Sequence, residues 1–209
     1  MIMRMDSPSG LLLTVFMLLL ENSNSSSEER ARCSAFTEQA ISKCMKPMLD
    51  YAGKLQSETG AMQFPVQGSD IFKKLCRIYM EFKECTRDAN CASLSMDAVD
   101  ASYGYMCGTG YKLFEKHATC FAEVETQKDY VKCKVAASHE ISNAQKLKGH
   151  DNNEQYFKAL CSVMDEYLRC SHPVINRHCG TQAWELVSTV TTDSLRVTMP
   201  TCDMHNALL

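Results

Sequence analysis

The chain has 209 residues, of which 45% are hydrophobic and 22% charged, and its formal net charge is −3. This length suits one domain or two small halves packed together, and the hydrophobic fraction is enough for a buried core. Because the net charge is small and no run of five basic residues occurs, the composition gives no indication of a nucleic-acid partner or of binding to a membrane surface.

The first 23 residues have the pattern of a secretory signal peptide. Arg4 precedes an apolar run over 11–20 that only Thr14 interrupts, and polar residues follow it. A run of ten residues is too short to cross a bilayer, which takes about 20. A buried core helix is the alternative, but the run is terminal and a serine-rich stretch follows. We expect a signal peptide over 1–23 and a flexible leader over 24–32 that carries the sequon of a glycoprotein at Asn24.

The cysteines predict a disulfide framework. There are twelve, an even number, and all follow the predicted signal peptide: Cys33, Cys44, Cys76, Cys85, Cys91, Cys107, Cys120, Cys133, Cys161, Cys170, Cys179 and Cys202. In an oxidising compartment this count predicts six disulfides. A zinc site would need closer pairs such as C-x2-C, whereas the shortest spacing here separates Cys85 from Cys91 by five residues. We expect a disulfide-linked domain over 33–202, a tail over 203–209, and no metal or other cofactor.

Apolar residues recur at helical spacing through most of the chain and predict an all-α, disulfide-cross-linked array. A capping box at Ser26 opens the first helix, whose apolar stripe includes Phe36 and which Pro47 should end or kink. A loop over 53–68 should follow. Further helices are expected from about Asp70 to Cys85 and over 96–106, 113–124, 129–148, 157–171 (ended by His172-Pro173) and 184–190. Segments 187–192 and 195–198, where β-branched residues are frequent, are minor alternative candidates for short strands.

An internal repeat indicates two related halves. Residues 75–85 align without gaps on 160–170, and both segments have the pattern Leu-Cys-x8-Cys. Cys-Gly-Thr recurs at 107–109 and 179–181, and Lys-Cys recurs at Cys44 and Cys133. The alternative is that helical cysteine-rich segments resemble one another by composition alone.

Helical geometry restricts the disulfide pairing without fixing it. Residues nine apart on a helix point to opposite faces and lie about 13 Å apart along its axis. Cys76 therefore cannot bond Cys85 within an intact helix, and the same holds for Cys161 and Cys170. Cys33 and Cys44 would fall on nearly one face of a continuous helix. The actual pairings stay open.

These features together resemble the nematode extracellular twelve-cysteine family known as domain of unknown function nineteen. The resemblance rests on the signal peptide, the twelve cysteines, the Leu-Cys-x8-Cys elements and the Cys-Gly-Thr break, and it covers about Cys33 to Cys202. It implies secretion and six disulfides, and it offers no catalytic residues to carry over.

The sequence lacks the motifs of the common enzyme classes. It has no G-x-S-x-G, no H-E-x-x-H, no P-loop and no Rossmann glycine pattern. Residues 151–154 begin like a calcium loop but lack its glycine and final glutamate, so a helix cap explains them better. No two of the six histidines are spaced i,i+4, and His178 beside Cys179 would need a free thiol to act as a catalytic pair.

We therefore predict a secreted, disulfide-rich extracellular interaction module without catalytic activity, whose partner is an unknown protein or glycan. Such a module should expose an apolar or charged patch. One alternative is a carrier of a small apolar ligand, which should enclose an apolar cavity of several hundred Å³. For a carrier, the aromatic and methionine stripes through Phe72 and Met164 would line the cavity; otherwise they are ordinary core. The other alternative is a secreted hydrolase, which should gather histidine with acidic or serine side chains in a cleft.

Overall fold

The structure is a computed structural model that describes residues 31–59, 69–147 and 153–208. No strand forms in these ranges, where the one ladder pairing is an isolated bridge between Arg32 and Ala92. The all-α prediction is therefore confirmed. The helices are α1 (Ala35–Thr59), α2 (Ser69–Cys85), α3 (Leu94–Cys107), α4 (Tyr111–Val124), α5 (Lys128–Gln145), α6 (Asn153–Cys179), α7 (Thr181–Thr198) and the short α8 (His205–Leu208).

Two prolines lie inside helices: Pro173, which was expected to end its helix, and Pro47, which was expected to end or kink its own. Pro47 is within α1 and Pro173 is within α6, so the predicted stop at His172-Pro173 is wrong. Both prolines are exposed, and on the solvent side a carbonyl that loses its intrahelical partner can be hydrated. The predicted loop at 53–68 is also wrong over 53–59, which is helical; 60–68 and the capping box at Ser26 lie outside the described residues.

The candidate strands at 187–192 and 195–198 do not form, because both segments belong to α7. Their buried side chains, which include Val187, Val190 and Leu195, follow the spacing of one helix face. Burial of that face outweighs the preference of β-branched residues for strands. Phe36 is 82% exposed, since it lies in the first turn of α1, before the buried stripe begins at Ile41.

The helix packing is symmetric about the contact between α3 and α7, with α1, α2 and α3 in one half corresponding to α5, α6 and α7 in the other. α1 packs on α2, α2 on α3, α3 on α7, α7 on α6, and α6 on α5. α4 lies across the middle and contacts α2, α3, α6 and α7, while α8 packs on α6. The two halves therefore meet through equivalent helices, α3 and α7, where Ser102 and Ser194 are joined by a hydrogen bond of 3.2 Å.

All twelve cysteines form disulfides, as predicted, and none is free. The bridges are Cys33–Cys91, Cys44–Cys85, Cys76–Cys107, Cys120–Cys179, Cys133–Cys170 and Cys161–Cys202. Counted within each half, the first cysteine pairs with the fifth, the second with the fourth and the third with the sixth. This shared connectivity supports the repeat that the sequence indicated. The recurring Cys-Gly-Thr is not part of it, because Cys107 is the sixth cysteine of its half and Cys179 the fifth.

The restriction from helical geometry is confirmed. Cys76 bonds the end of α3 whereas Cys85 bonds α1, and Cys161 and Cys170 likewise have different partners. The shared face of Cys33 and Cys44 does not exist, because Cys33 precedes α1. Its backbone N–H instead donates to the carbonyl oxygen of Ala92 at 3.1 Å.

The connectivity predicts the outcome of peptide mapping. We expect non-reducing proteolysis of the secreted protein, read by mass spectrometry, to return three bridges within 33–107 and three within 120–202. A bridge joining the two halves would contradict both the connectivity and the repeat.

Candidate functional site

The histidines considered for catalysis lie in separate surroundings. His117 is buried with its Nε2 3.3 Å from the amide oxygen of Gln182, and His139 contacts the neighbouring Glu140. His172 stacks on Trp184 with ring centroids 4.1 Å apart, and burial lowers the pKa of His172. The sulfur of Cys179, beside His178, is bonded to Cys120. His150 lies outside the described residues.

The acidic residues that recur in the repeat do not converge on a site either. Glu81 and Glu166 are both exposed on their helices. Within the described ranges, no group of three or more histidine, cysteine, aspartate or glutamate side chains is placed to hold a metal ion.

A buried polar cluster that no sequence pattern indicated joins the α4–α5 turn to α6. Lys134 pairs with Glu125 at 2.6 Å, and their side chains are 11% and 7% exposed. Beside them the hydroxyls of Tyr130 and Tyr167 share a hydrogen bond of 2.7 Å. Burial raises the pKa of Glu125, and the hydrogen bond and charge of Lys134 oppose that rise. The spacing of nine residues between the two charges gives no helical signal, so only the fold reveals the pair.

A cleft of about 470 Å³ lies between the start of α6 and the segment after α7. The Cys161–Cys202 bridge, Phe157 and Met199 contribute apolar walls, and Glu154 and Lys158 also line it. It is open on one side and carries charges of both signs. It is therefore not the enclosed apolar cavity that a carrier of apolar ligands requires.

Positive charge is concentrated on α2 in the part of the surface that the structure describes. Lys73, Lys74 and Arg77 are exposed on its first half. Lys74 leans toward α1, where its Nζ lies 4.9 Å from the centre of the Tyr51 ring. Lys73 leans the other way, toward α4, where its Nζ is 3.2 Å from Glu115. Arg77 follows one turn later, so the three cations form a triangle on one side of the helix.

The same surface continues onto α4. Lys112 and Lys116 are both exposed. In sequence they flank Glu115, the residue that Lys73 contacts. Core packing fixes this neighbourhood, since the Phe72 ring lies 4.9 Å from that of Tyr111. At the far end Lys116 donates to the amide oxygen of Gln182, at the start of α7, at 3.1 Å.

We call this surface the cationic face and define it by seven residues: Lys73, Lys74, Arg77, Lys112 and Lys116, with the carboxylates Asp70 and Glu115. Its net charge is +3, on a chain whose total is −3. The face ends on α2 where Glu81 and Glu84 follow. The charged patch expected of a binding module is thus present.

Comparison with known proteins gives the family. Residues 32–204 match the model of a family described as Chondroitin proteoglycan 4. The chain belongs to this family. An uncharacterized protein of Caenorhabditis elegans is 36% identical over 197 residues, which cover 86% of this chain and 94% of that protein. No solved structure matches the chain.

The match to the Chondroitin proteoglycan 4 family spans all twelve cysteines, and the similar protein is from a nematode. The coarser resemblance, to a nematode family that shares the twelve-cysteine region, is therefore confirmed. The closer identification with domain of unknown function nineteen is not confirmed. In the described part of this family member, no helix is long and apolar enough to cross a membrane. The signal peptide over 1–23 and glycosylation at Asn24 fall outside the described residues and stay predictions.

Proposed function

We propose that this chain is a secreted, non-catalytic interaction module that binds an anionic extracellular partner through the cationic face. The observation that carries the proposal is the accumulation of five cations against two carboxylates on an otherwise acidic chain. Surface charge of one sign attracts partners of the other and speeds their encounter with the protein.

Several features support an extracellular setting. Six disulfides persist best in an oxidising compartment, and the first 23 residues predict a signal peptide. The family description, a chondroitin proteoglycan, is consistent with the same setting. The framework of bridged and packed helices also supports a binding role, since a disulfide ties α2 to the end of α3 and α2 packs directly on α4, which pre-organises their charges.

The absence of catalysis is part of the proposal. Its support is that His117, His139 and His172 contact unrelated partners and that all cysteine sulfurs are engaged in bridges. A carrier role has weaker support, because the described cleft at Cys161–Cys202 is open and lined by Glu154 and Lys158.

The proposal predicts that reversing charge on the face abolishes anion binding. The variant R77E/K112E changes the face from +3 to −1. We expect its affinity for immobilised anionic polymers, chondroitin sulfate and poly-L-glutamate, to fall on the order of 10-fold or more at low salt in biolayer interferometry, because attraction becomes repulsion.

A matched control separates the face from overall charge. K43E/K128E makes the same total change at exposed lysines of α1 and α5, outside the face, and should bind within about twofold of the unmodified protein. If both variants lose the same affinity, net charge and not the face is responsible. If the unmodified protein binds neither polymer, the proposed function is wrong.

A further inference from the structure

We infer that the partner of the cationic face is a linear anionic polysaccharide of the glycosaminoglycan type, and not a protein. The inference rests on the proposed function, that this face binds an anion, and it specifies the class of that anion. Three features of the face favour a polysaccharide: the lack of an exposed apolar anchor, the arrangement of the cations, and their chemistry.

Among the described residues around the face, no large apolar side chain is exposed to a protein partner. Protein interfaces draw most of their affinity from aromatic or aliphatic anchors that become buried at the centre. The large apolar residues beneath this face, Phe72 and Phe114, are 0% exposed. The exposed Met80 of α2 lies beyond Arg77, next to Glu81, at the acidic end of the helix. A partner at the face would therefore contact mainly charged and polar groups.

The cations form a band across two adjacent helices. Lys73 and Arg77 are separated by about 6 Å along α2, and Lys112 and Lys116 by about 6 Å along α4. Packing of α2 on α4, where the Phe72 and Phe114 rings lie 6.2 Å apart, places the two rows side by side. An extended polymer with a regularly repeated negative charge can contact several of these cations at once, whereas a compact anion would reach only a few.

The side-chain chemistry suits a mixture of carboxylates and sulfates. Four of the five cations are lysines, whose ammonium groups act as point charges and do not impose the planar two-point geometry of arginine. At the end of the band Gln182 adds an exposed neutral amide beside Lys116. A neutral amide can hydrogen-bond to the hydroxyl groups of a polysaccharide, while the neighbouring cations attract its charged groups.

Glu115 limits the affinity of the face. Its carboxylate neutralises part of the charge of Lys73 at 3.2 Å and repels an incoming anion. The repulsion grows with the charge of the ligand, so it weakens binding of a sulfated chain more than that of an unsulfated one. Glu115 is thus a residue that tunes selectivity, and its neutral isostere should bind anions more tightly.

The test uses the secreted, fully oxidised chain and three end-immobilised probes of similar length: chondroitin sulfate, unsulfated chondroitin and poly-L-glutamate. We expect chondroitin sulfate to bind at least 5-fold more tightly than poly-L-glutamate, with unsulfated chondroitin between them. R77E/K112E should lose the binding to both polysaccharides. Digestion of the chondroitin surfaces with chondroitinase should remove their signal.

Two results would overturn the inference while leaving the proposed function intact. One is binding of poly-L-glutamate as tight as that of the polysaccharides, which would favour an acidic protein partner. The other is polysaccharide binding that R77E/K112E leaves unchanged while poly-L-glutamate binding is lost. Failure to bind any of the three probes would instead remove the proposed function itself.

E115Q supplies a gain-of-affinity test with a control on the same helix. We expect E115Q to bind chondroitin sulfate about 2- to 5-fold more tightly at low salt and to gain less for unsulfated chondroitin, with the gain fading as salt screens the charges. E123Q, which removes an exposed carboxylate from the other end of α4, should change neither. Equal gains in E115Q and E123Q would refute the role of Glu115.

Discussion

Replacing Lys134 by methionine is expected to lower the free energy of unfolding by about 3–5 kcal/mol, because it leaves Glu125 buried without its cation. The two groups are 2.6 Å apart and almost fully removed from solvent. Methionine fills a similar volume, so the loss would come from the uncompensated carboxylate and not from a cavity. Urea denaturation followed by the fluorescence of Trp184 measures it.

The loss should also depend on pH. Burial already raises the pKa of Glu125, and removing Lys134 takes away the main influence that lowers it. A carboxyl whose pKa is raised in the folded state stabilises the fold fully below its unfolded pKa of about 4.3 and loses that contribution as pH rises through the folded value. We therefore expect K134M to be closest to the unmodified protein near pH 4 and least stable, relative to it, at pH 7 and above.

Two further variants test the cause of this loss. K132M removes a lysine of the same helix whose ion pair with Asp129 is exposed, and it should change the free energy of unfolding far less than K134M does. The double variant K134M/E125Q removes both charges of the buried pair and should recover much of the stability at pH 7. A K134M loss that is independent of pH and unaffected by E125Q would show that Lys134 acts through packing alone.

The helices of this family member could be predicted because their signal is local. An apolar stripe such as that of α2, with Phe72, Leu75 and Tyr79 on one side, follows directly from residue order. The same holds for the rule that Cys76 and Cys85 have different partners, since it depends only on the helical repeat. The helices continue through Pro47 and Pro173 because both prolines lie on exposed faces, where a helix tolerates them, and exposure is a property of the packed molecule.

The cationic face could not be predicted because its parts are distant in sequence. A search for contiguous basic runs finds none, and Lys73 and Lys112 are separated by all of α3. The Cys76–Cys107 bridge ties the end of α3 to α2, and α4 begins four residues later, beside Phe72. The charges therefore come together through helix packing and through a disulfide whose pairing the sequence left open.

The two longest disulfide loops should differ in their contribution to stability although they are nearly equal in length. Cys120–Cys179 and Cys33–Cys91 span 59 and 58 residues, so the loss of loop entropy in the unfolded chain predicts about 4 kcal/mol for each. Cys120 joins α4 to the end of α6, between two helices that pack in the core. Cys33 instead holds a short segment before α1, whose contacts include two backbone hydrogen bonds of Ala92 in the 91–92 turn.

We therefore expect C120A/C179A to lower the free energy of unfolding by about 4 kcal/mol and C33A/C91A by about 2 kcal/mol or less. In the second variant residues 31–34 can detach while α1, α2 and α3 stay packed, so the folded state regains chain entropy and part of the loss is offset. Urea denaturation under non-reducing conditions measures both, and hydrogen exchange should show new openings confined to 31–34 in C33A/C91A. Equal losses in the two variants would mean that the segment before α1 is as much a part of the cooperative core as the α4–α6 contact.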